Sequence, residues 1–504
     1  MLERSCVLSP QYENRHSPIG SAVDSHTGSE YNMDLMKTWL QNCLTTHRYC
    51  NTEMPSQMPP TLPTRIIDIE NDDQARITES AGMRADYLTL SYCWGQGKKL
   101  LCTKGTGSYE QFKQKLPVDN SMPKTFRDAL QVTRALGYRY LWIDALCIVQ
   151  DDPEDVRKEM AKMGDIYRQL TLTIFAANGP DTDSGLFSER DARGTKSCNV
   201  QTTLKRGSKC LHGRLSIQSC IRNRHGALQS RGWVLQEEVL SGRLLTFGLS
   251  AVEWCCITTH AGENNPCMDA PDPDDDEDQH CSVMCHMSSD SMRLMVRRPD
   301  LFERRLLFSP GRLRRNHFDI WYEVVCDYSQ KALSVYSDKL LAVAGLASLM
   351  QKNYDLTYAA GLWKEDLQVG LCWWVHSQSD TFRRNGARSI NEDFTDYLAP
   401  SWSWASAHGV HVGFVYNYSD RSREEVIQIL DLEVSHLPGA LATFGCITFA
   451  KLSVCTRMRK AVLVPLYANL DSFDTFDDPQ EGLSPVSAVD PSTESYIGYV
   501  CLDS

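Results

Sequence analysis

No Walker-type phosphate loop, Gly-rich dinucleotide fingerprint, G-x-S-x-G elbow or H-E-x-x-H pair occurs in the 504 residues. Kinase, dinucleotide-fold, α/β-hydrolase and zinc-protease readings therefore lose their usual support. A basic excess is also missing: 52 Lys and Arg stand against 64 Asp and Glu, a formal charge of -12, so the electrostatic footprint of a nucleic-acid binder is absent. The longest apolar run, Leu340 to Met350, is too short to span a bilayer. The opening MLERSCVLSPQYENRH carries neither a signal-peptide core nor a myristoylation pattern, so no membrane association is expected and the location read from the sequence is cytoplasmic. Nineteen cysteines are present, but without an export signal they read as reduced thiols rather than a disulfide framework.

What is present is globular: 42% hydrophobic and 9% aromatic residues, in a chain long enough for two to three domains. Residues 1–35 are polar and aperiodic and read as a disordered arm, with structure beginning near Met36. Residues 36–260 form the main domain with a helix and strand as lead-in. Residues 261–300 hold the self-repelling run DAPDPDDDEDQ and read as an acidic disordered linker. Residues 301–470 read as helical and then β-rich, with HFDIWYEVVCDYSQKAL, YSDKLLAVAGLASLMQK and GLWKEDLQVGLCWWV as three helices. Residues 471–504 are a loose acidic tail.

Three places offer residue types that could ligate a metal. In MKTWLQNCLTTHRYC the residues Cys43, His47 and Cys50 fall at i, i+4 and i+7 of one helix face. Three ligands without a fourth, in a chain with no Cys-x-x-Cys, favour packing over a metal. Cys267, His280, Cys281, Cys285 and His286 are irregularly spaced, and the acidic run lacks the interleaving and Gly of a calcium loop. No metal is expected.

Between Tyr87 and Asn178 strands alternate with helices. YLTLSY is a strand; SMPKTFRDALQVTRALG is a helix with Ser121 as N-cap and Gly137 as terminator; YRYLWIDALCI is an apolar strand. DDPEDVRKEMAKMGDIYRQ opens with Asp152 as N-cap and Pro153 at the first helical position, and LTLTIFAAN is a third strand. Such alternation predicts an α/β fold with a parallel, doubly wound sheet, and RGWVLQEEVLSGRLLTFG adds a short helix from Gly232 to Ser241 and another strand. Residues 180–230 read as a long loop or insertion with weak strand signals. Ligands of open parallel sheets gather at the carboxyl ends of the strands. There stand Ser91 to Gly95, Asp144, and Asn178 with Gly179. Ser91, Asp144 and Glu237 are thus the polar groups expected at one crevice, with Trp94, Trp142 and Trp233 as its walls. A carboxylate beside an indole in a dry pocket can hold a raised pKa or stabilise a developing cation, as N-glycosidic cleavage requires. Bland readings compete: Ser91 as a turn cap, Asp144 as a local cap, Glu237 as a surface partner of Arg231 or Arg243. Cys93 and Cys147 have no His within their motifs to make either a nucleophile.

Taken together, YLTLSYCWG, the block from MPKTFRDALQ to LTIFAANG with GLF after it, and RGWVLQEEVLSGRLLTFG resemble the fungal heterokaryon-incompatibility (HET) domain family. WLQNCLTTHRYC, PTRIIDI, SDKLLAVAGLA, YAAGLW and APSWSWAS resemble the flanks of full-length members. Where the family's third block usually continues Gln-Glu-Arg, Gln236 and Glu237 are here followed by Glu238. The resemblance implies a role in fungal non-self recognition and programmed cell death. HET domains are remotely similar to TIR domains, some of which cleave NAD with a Glu placed after a Trp, and WVLQE resembles that arrangement. This implies a TIR-like fold, a catalytic Glu237, and Ser91, Tyr92, Trp94, Gly95, Asp144, Gln150, Arg231 and Trp233 as ligand-binding residues, with NAD as substrate and no resident cofactor. Two other roles stay open: an oligomerising death-signalling scaffold that binds itself or a protein partner, and an accessory protein or enzyme of a secondary-metabolite gene cluster.

Overall fold

The computed structural model describes residues 6–10, 24–51, 58–70, 75–190, 198–206, 209–219, 226–263, 288–307, 316–375, 399–407, 409–414, 427–436, 444–445, 447–456, 462–465, 486–490 and 495–500. The chain divides into two compact units, Met1–Phe302 and Glu303–Ser504. The acidic run from Asp269 to Gln279 lies outside the described residues, as do Cys267, His280, Cys281, Cys285 and His286.

The first unit is built on an eight-stranded mixed sheet. Its strands are β1 (Arg65–Asp68), β2 (Arg76–Glu79), β3 (Tyr87–Ser91), β4 (Tyr140–Trp142), β5 (Leu172–Ala176), β6 (Arg243–Phe247), β7 (Val252–Cys256) and β8 (His260–Gly262). They lie in the order β8-β7-β6-β5-β3-β4-β1-β2. The central four, β6, β5, β3 and β4, are parallel, and antiparallel strands extend the sheet at both edges. β3 therefore has its successor on one side and the next parallel strand on the other. With right-handed crossovers this reversal sends the intervening helices to opposite faces and opens a crevice between the carboxyl ends of β3 and β5.

Its helices include α1 (Glu30–Thr46), α2 (Lys124–Ala135), the single turn α3 (Asp144–Cys147), α4 (Pro153–Gln169) and α5 (Gly232–Leu240). Alternation in YLTLS decides which residues meet α4 and α5. Tyr87, Thr89 and Ser91 share one face, where Tyr87 donates to the Ile166 carbonyl of α4 at 2.8 Å and Ser91 reaches Glu237 of α5. Between them a buried ladder of hydroxyls runs from Thr89 to Thr173 (2.9 Å) and on to Ser241 (2.7 Å), whose Oγ donates to the Glu237 carbonyl. The ladder fixes α5 over the sheet.

Several local expectations are corrected. α1 begins at Glu30, ahead of Met36, because Ser29 caps it by accepting from the Asn32 amide. Cys43, His47 and Cys50 do not share one helix: α1 ends at Thr46, His47 is extended, and a separate turn runs Arg48–Asn51. α2 starts at Lys124 after Pro123, while Ser121 donates to Asp119 instead of capping it. The apolar run YRYLWIDALCI keeps strand geometry only to Trp142, since Asp144 starts a helical turn by accepting from the Ala145 amide at 2.6 Å. Residues 198–206 and 209–219 form a hairpin joined by Cys6–Pro10 into a three-stranded sheet. Asp152 and Pro153 open α4, and Gly137 ends the α2 turn at φ 83°, as the sequence predicts.

In the second unit His317–Ser329 is a helix with a capping box from Asn316 and Asp319, and Ala344–Tyr354 is another. GLWKEDLQVGLCWWV is not the third helix. Tyr358–Ala359 and Leu362–Trp363 pair as a hairpin whose two loop residues, Ala360 and Gly361, both have positive φ; a short 3-10 turn, one helical turn and the strand Trp373–Val375 follow. Trp321 and Trp404 both donate to the Gly361 carbonyl, at 3.0 and 2.9 Å, so the YAAGLW and APSWSWAS blocks meet in one core. A Cβ on Gly361 (φ +94°) would stand 2.6 Å from Nε1 of the buried Trp404. Gly361→Ala is expected to cost about 3 kcal/mol from backbone strain plus overpacking, read as a lower urea midpoint of this unit. No described helix is long and apolar enough to cross a membrane.

Candidate functional site

Ser91 ends β3, and its hydroxyl donates to Glu237 Oε2. Glu237 lies on the second turn of α5 and is 7% exposed. Burial pushes its carboxyl up to about 7; the Arg231 guanidinium, the hydrogen bond from Ser91 and the Tyr167 phenol oppose that rise, and the nearby Asp144 charge adds to it. Ser91 touches Glu237 directly, and Asp144 is linked to them through Tyr92 and Arg231, so the three polar residues expected at the crevice lie together.

Asp144 organises the other half. Its Oδ1 accepts from Tyr92 Oη at 2.8 Å and from the Ala145 amide, and its Oδ2 accepts from Trp94 Nε1 at 2.9 Å. The chain after β3 is therefore pinned by its own phenol and indole to the start of α3. Arg231, the N-cap position of α5, donates to the Tyr92 carbonyl and so joins the two halves. Gln150 sits behind Asp144: its amide donates to the carbonyls of Asp144 (3.0 Å) and Ile148 (3.1 Å), which fixes the turn and leaves the carboxylate alone. Trp233 is half-buried one helical turn before Glu237, on the same face of α5. Gly95 has φ +48°, and a Cβ there would lie 2.3 Å from the Pro180 carbonyl oxygen, so the loop after β3 and the loop after β5 can close only around glycine. Lys98 and Thr182 then tie those loops together, the Lys98 amide donating to Asp183 at 2.8 Å and Thr182 Oγ1 donating to the Lys98 carbonyl at 2.7 Å.

Tyr167 was missed by sequence reasoning. It lies with Met163 and Ile166 on the buried face of α4, and its phenol donates to the Leu90 carbonyl at 3.5 Å and is pushed well above the ordinary tyrosine range, mainly by burial and then by the nearby Glu237 charge. Trp142, expected as a crevice wall, is fully buried and packs edge-on against Tyr167 at 6.0 Å, so it backs the site from the interior. The cysteines are unsuited to attack. Cys93 packs with Phe175, Leu228 and Val234 and is pushed up to about 11 by burial, and burial raises Cys147 further. A hollow of about 500 Å³ lined by Thr64, Ser80, Tyr87 and Lys162 opens elsewhere and holds none of the candidate residues.

Residues 87–237 match the family model described as heterokaryon incompatibility protein (HET). The chain carries a HET domain. The matched segment starts at the first residue of β3 and ends at Glu237 itself, so the HET domain contains Ser91, Tyr92, Trp94, Gly95, Asp144, Gln150, Arg231 and Trp233 and leaves Glu238 just outside. The main chain of Glu238 is engaged, its carbonyl accepting from Arg293 at 3.1 Å. No curated protein and no solved structure gives a significant match to the chain.

Proposed function

We propose that the HET domain of this protein binds a nucleotide in the crevice between β3 and β5 and cleaves NAD at the nicotinamide–ribose bond, the reaction behind its role in non-self recognition and cell death. The observation that carries this reading is the buried Ser91–Glu237 pair, with Arg231 and Asp144 beside it, at the carboxyl end of β3. Breaking the C1′–N bond returns the electron pair to nicotinamide and leaves an oxocarbenium-like ribose. A carboxylate held in a poorly solvated site stabilises that cation, and its complex with Ser91 keeps it oriented. Water then adds at C1′, and its proton passes to the Glu237 carboxylate and on to solvent. Tyr92, Trp94 and Asp144 shape the rim that holds ribose, and Arg231 supplies the cation nearest a phosphate.

The test is product analysis. Full-length protein incubated with NAD should release nicotinamide and ADP-ribose in equal amounts. Intact NAD after prolonged incubation favours a second reading, a scaffold that signals by self-association or by binding a protein partner. One observation supports that alternative: the site carboxylates already have internal partners in Ser91, Tyr92 and Trp94.

A further inference from the structure

At the opposite end of the parallel strands the fold completes what the sequence spacing left unfinished. Among the described residues, one group of metal-ligating side chains converges: Cys43, His47, Cys50 and Cys256, whose ligand atoms all lie within 4.8 Å of one another. The first three come from the end of α1 and the turn after it. The chain leaves the helix at His47 (φ -82°, ψ 90°), and Asn51 folds the following turn back by donating to the carbonyls of Cys43, Leu44 and His47 at 2.9, 3.0 and 3.1 Å. The fourth is the last residue of β7, some two hundred positions later in the chain.

We propose that Cys43, His47, Cys50 and Cys256 form a structural zinc site that staples the end of α1 to β7 of the eight-stranded sheet. A tetrahedral zinc with Zn–S near 2.3 Å and Zn–N near 2.0–2.1 Å has ligand–ligand edges of roughly 3.6–3.8 Å. The His47 Nδ1 to Cys256 Sγ distance is 3.4 Å and no pair of ligand atoms exceeds 4.8 Å, so the group closes onto a metal with shifts of at most about 1 Å.

The surroundings are those of thiolates. Arg243, itself buried, donates from Nε to Cys43 Sγ at 3.2 Å and from Nη2 to the Cys50 carbonyl and Asn51 Oδ1. The Thr259 amide donates to Cys256 Sγ at 3.3 Å, and Thr258 Oγ1 lies 3.1 Å from Cys50 Sγ. N–H donors to Cys43 and Cys256 and a hydroxyl beside Cys50 are the kind of outer shell that orients metal-bound cysteines. Charge agrees with this: three thiolates, one neutral imidazole and a divalent zinc sum to minus one, which the Arg243 guanidinium offsets. Four protein ligands leave no open coordination position, and Cys43 and Cys256 are 0% and 1% exposed, so the site is structural rather than catalytic. Arg243 opens β6 and pairs in register with Cys256, which places the group at the rim away from Ser91.

The test needs no NAD and stands apart from the proposed reaction. Full-length protein purified without chelator should carry about one zinc per chain by elemental analysis. Exchange into Co²⁺ should give the ligand-field bands of tetrahedral, thiolate-bound cobalt. Cys50→Ser, at the half-buried ligand, should reduce the zinc content severalfold and change the cobalt spectrum while far-UV circular dichroism stays near that of the wild type. If this variant fails to fold, the wild-type cobalt spectrum and a fall in melting temperature on stripping the zinc decide the matter. Wild-type protein with only trace metal and no cobalt spectrum, its three thiols either freely titratable or joined as a disulfide in peptide maps, would overturn the proposal.

Discussion

At pH 8 the Glu237→Gln protein should melt at a higher temperature than the wild type, and at pH 4 the two should coincide. The folded state raises the Glu237 carboxyl to about 7, so between the ordinary glutamate range and pH 7 the native protein binds more protons than the unfolded chain. The stability tied to Glu237 is therefore full below about pH 4.5 and is lost as the pH rises through about 7. The integrated cost of holding the carboxylate charged and buried is about 3 kcal/mol at alkaline pH. Glutamine keeps an acceptor for Ser91 without that charge. Activity should move the other way, since only the ionised form stabilises a ribosyl cation: cleavage rises with pH through about 7 in the wild type. A wild-type melting temperature that does not fall relative to the variant between pH 5 and 8 would contradict this placement of Glu237.

Arg190→Met should be among the most destabilising single changes in the first unit. Arg190 and Glu263 form a two-point ion pair with side chains only 5% and 1% exposed. The same guanidinium holds the Asp24 carbonyl at 2.8 Å and the Ser250 carbonyl at 2.7 Å, and Glu263 also accepts from the Val252 amide. Removing the cation leaves a buried carboxylate without its counter-charge, which costs about 3–5 kcal/mol. The double change Arg190→Met with Glu263→Leu should recover a large part of that loss, because the buried charge goes with its partner. Urea titrations of the two single variants and the double variant measure the coupling. Near-additive effects would mean that the pair is not acting as a unit.

The parts of the fold legible in the sequence are those fixed by local pattern. Tyr87–Ser91, α2, α4 and Leu172–Ala176 follow from apolar periodicity and from stops such as Gly137 and the Asp152–Pro153 start. Ser91 and Asp144 were legible for a topological reason, since ligand-facing groups of a parallel sheet collect after strand ends, whereas Glu237 was legible from its spacing four residues after Trp233 on a short helix. Illegible were contacts that depend on distant partners. Tyr167 looks like core until Glu237, seventy positions on, is brought beside its phenol. Cys43, His47 and Cys50 lack a fourth ligand until the pairing of β6 with β7 delivers Cys256. The helix expected over GLWKEDLQVGLCWWV failed because its helical spacing of Leu and Trp is overridden by the positive-φ pair Ala360–Gly361 and by two indoles bonded to one carbonyl. Asp144 stops the strand that its apolar neighbours favour.

The central claim is that the Glu237 carboxylate, oriented by Ser91, performs the chemistry of the HET domain. Its most direct test is the initial rate of nicotinamide release from NAD by wild-type and Glu237→Gln proteins at pH 8, where both are folded. The expected result is measurable release by the wild type and a rate lower by about 10²–10³-fold in the variant. Equal rates in the two proteins, or no release by either, would contradict it.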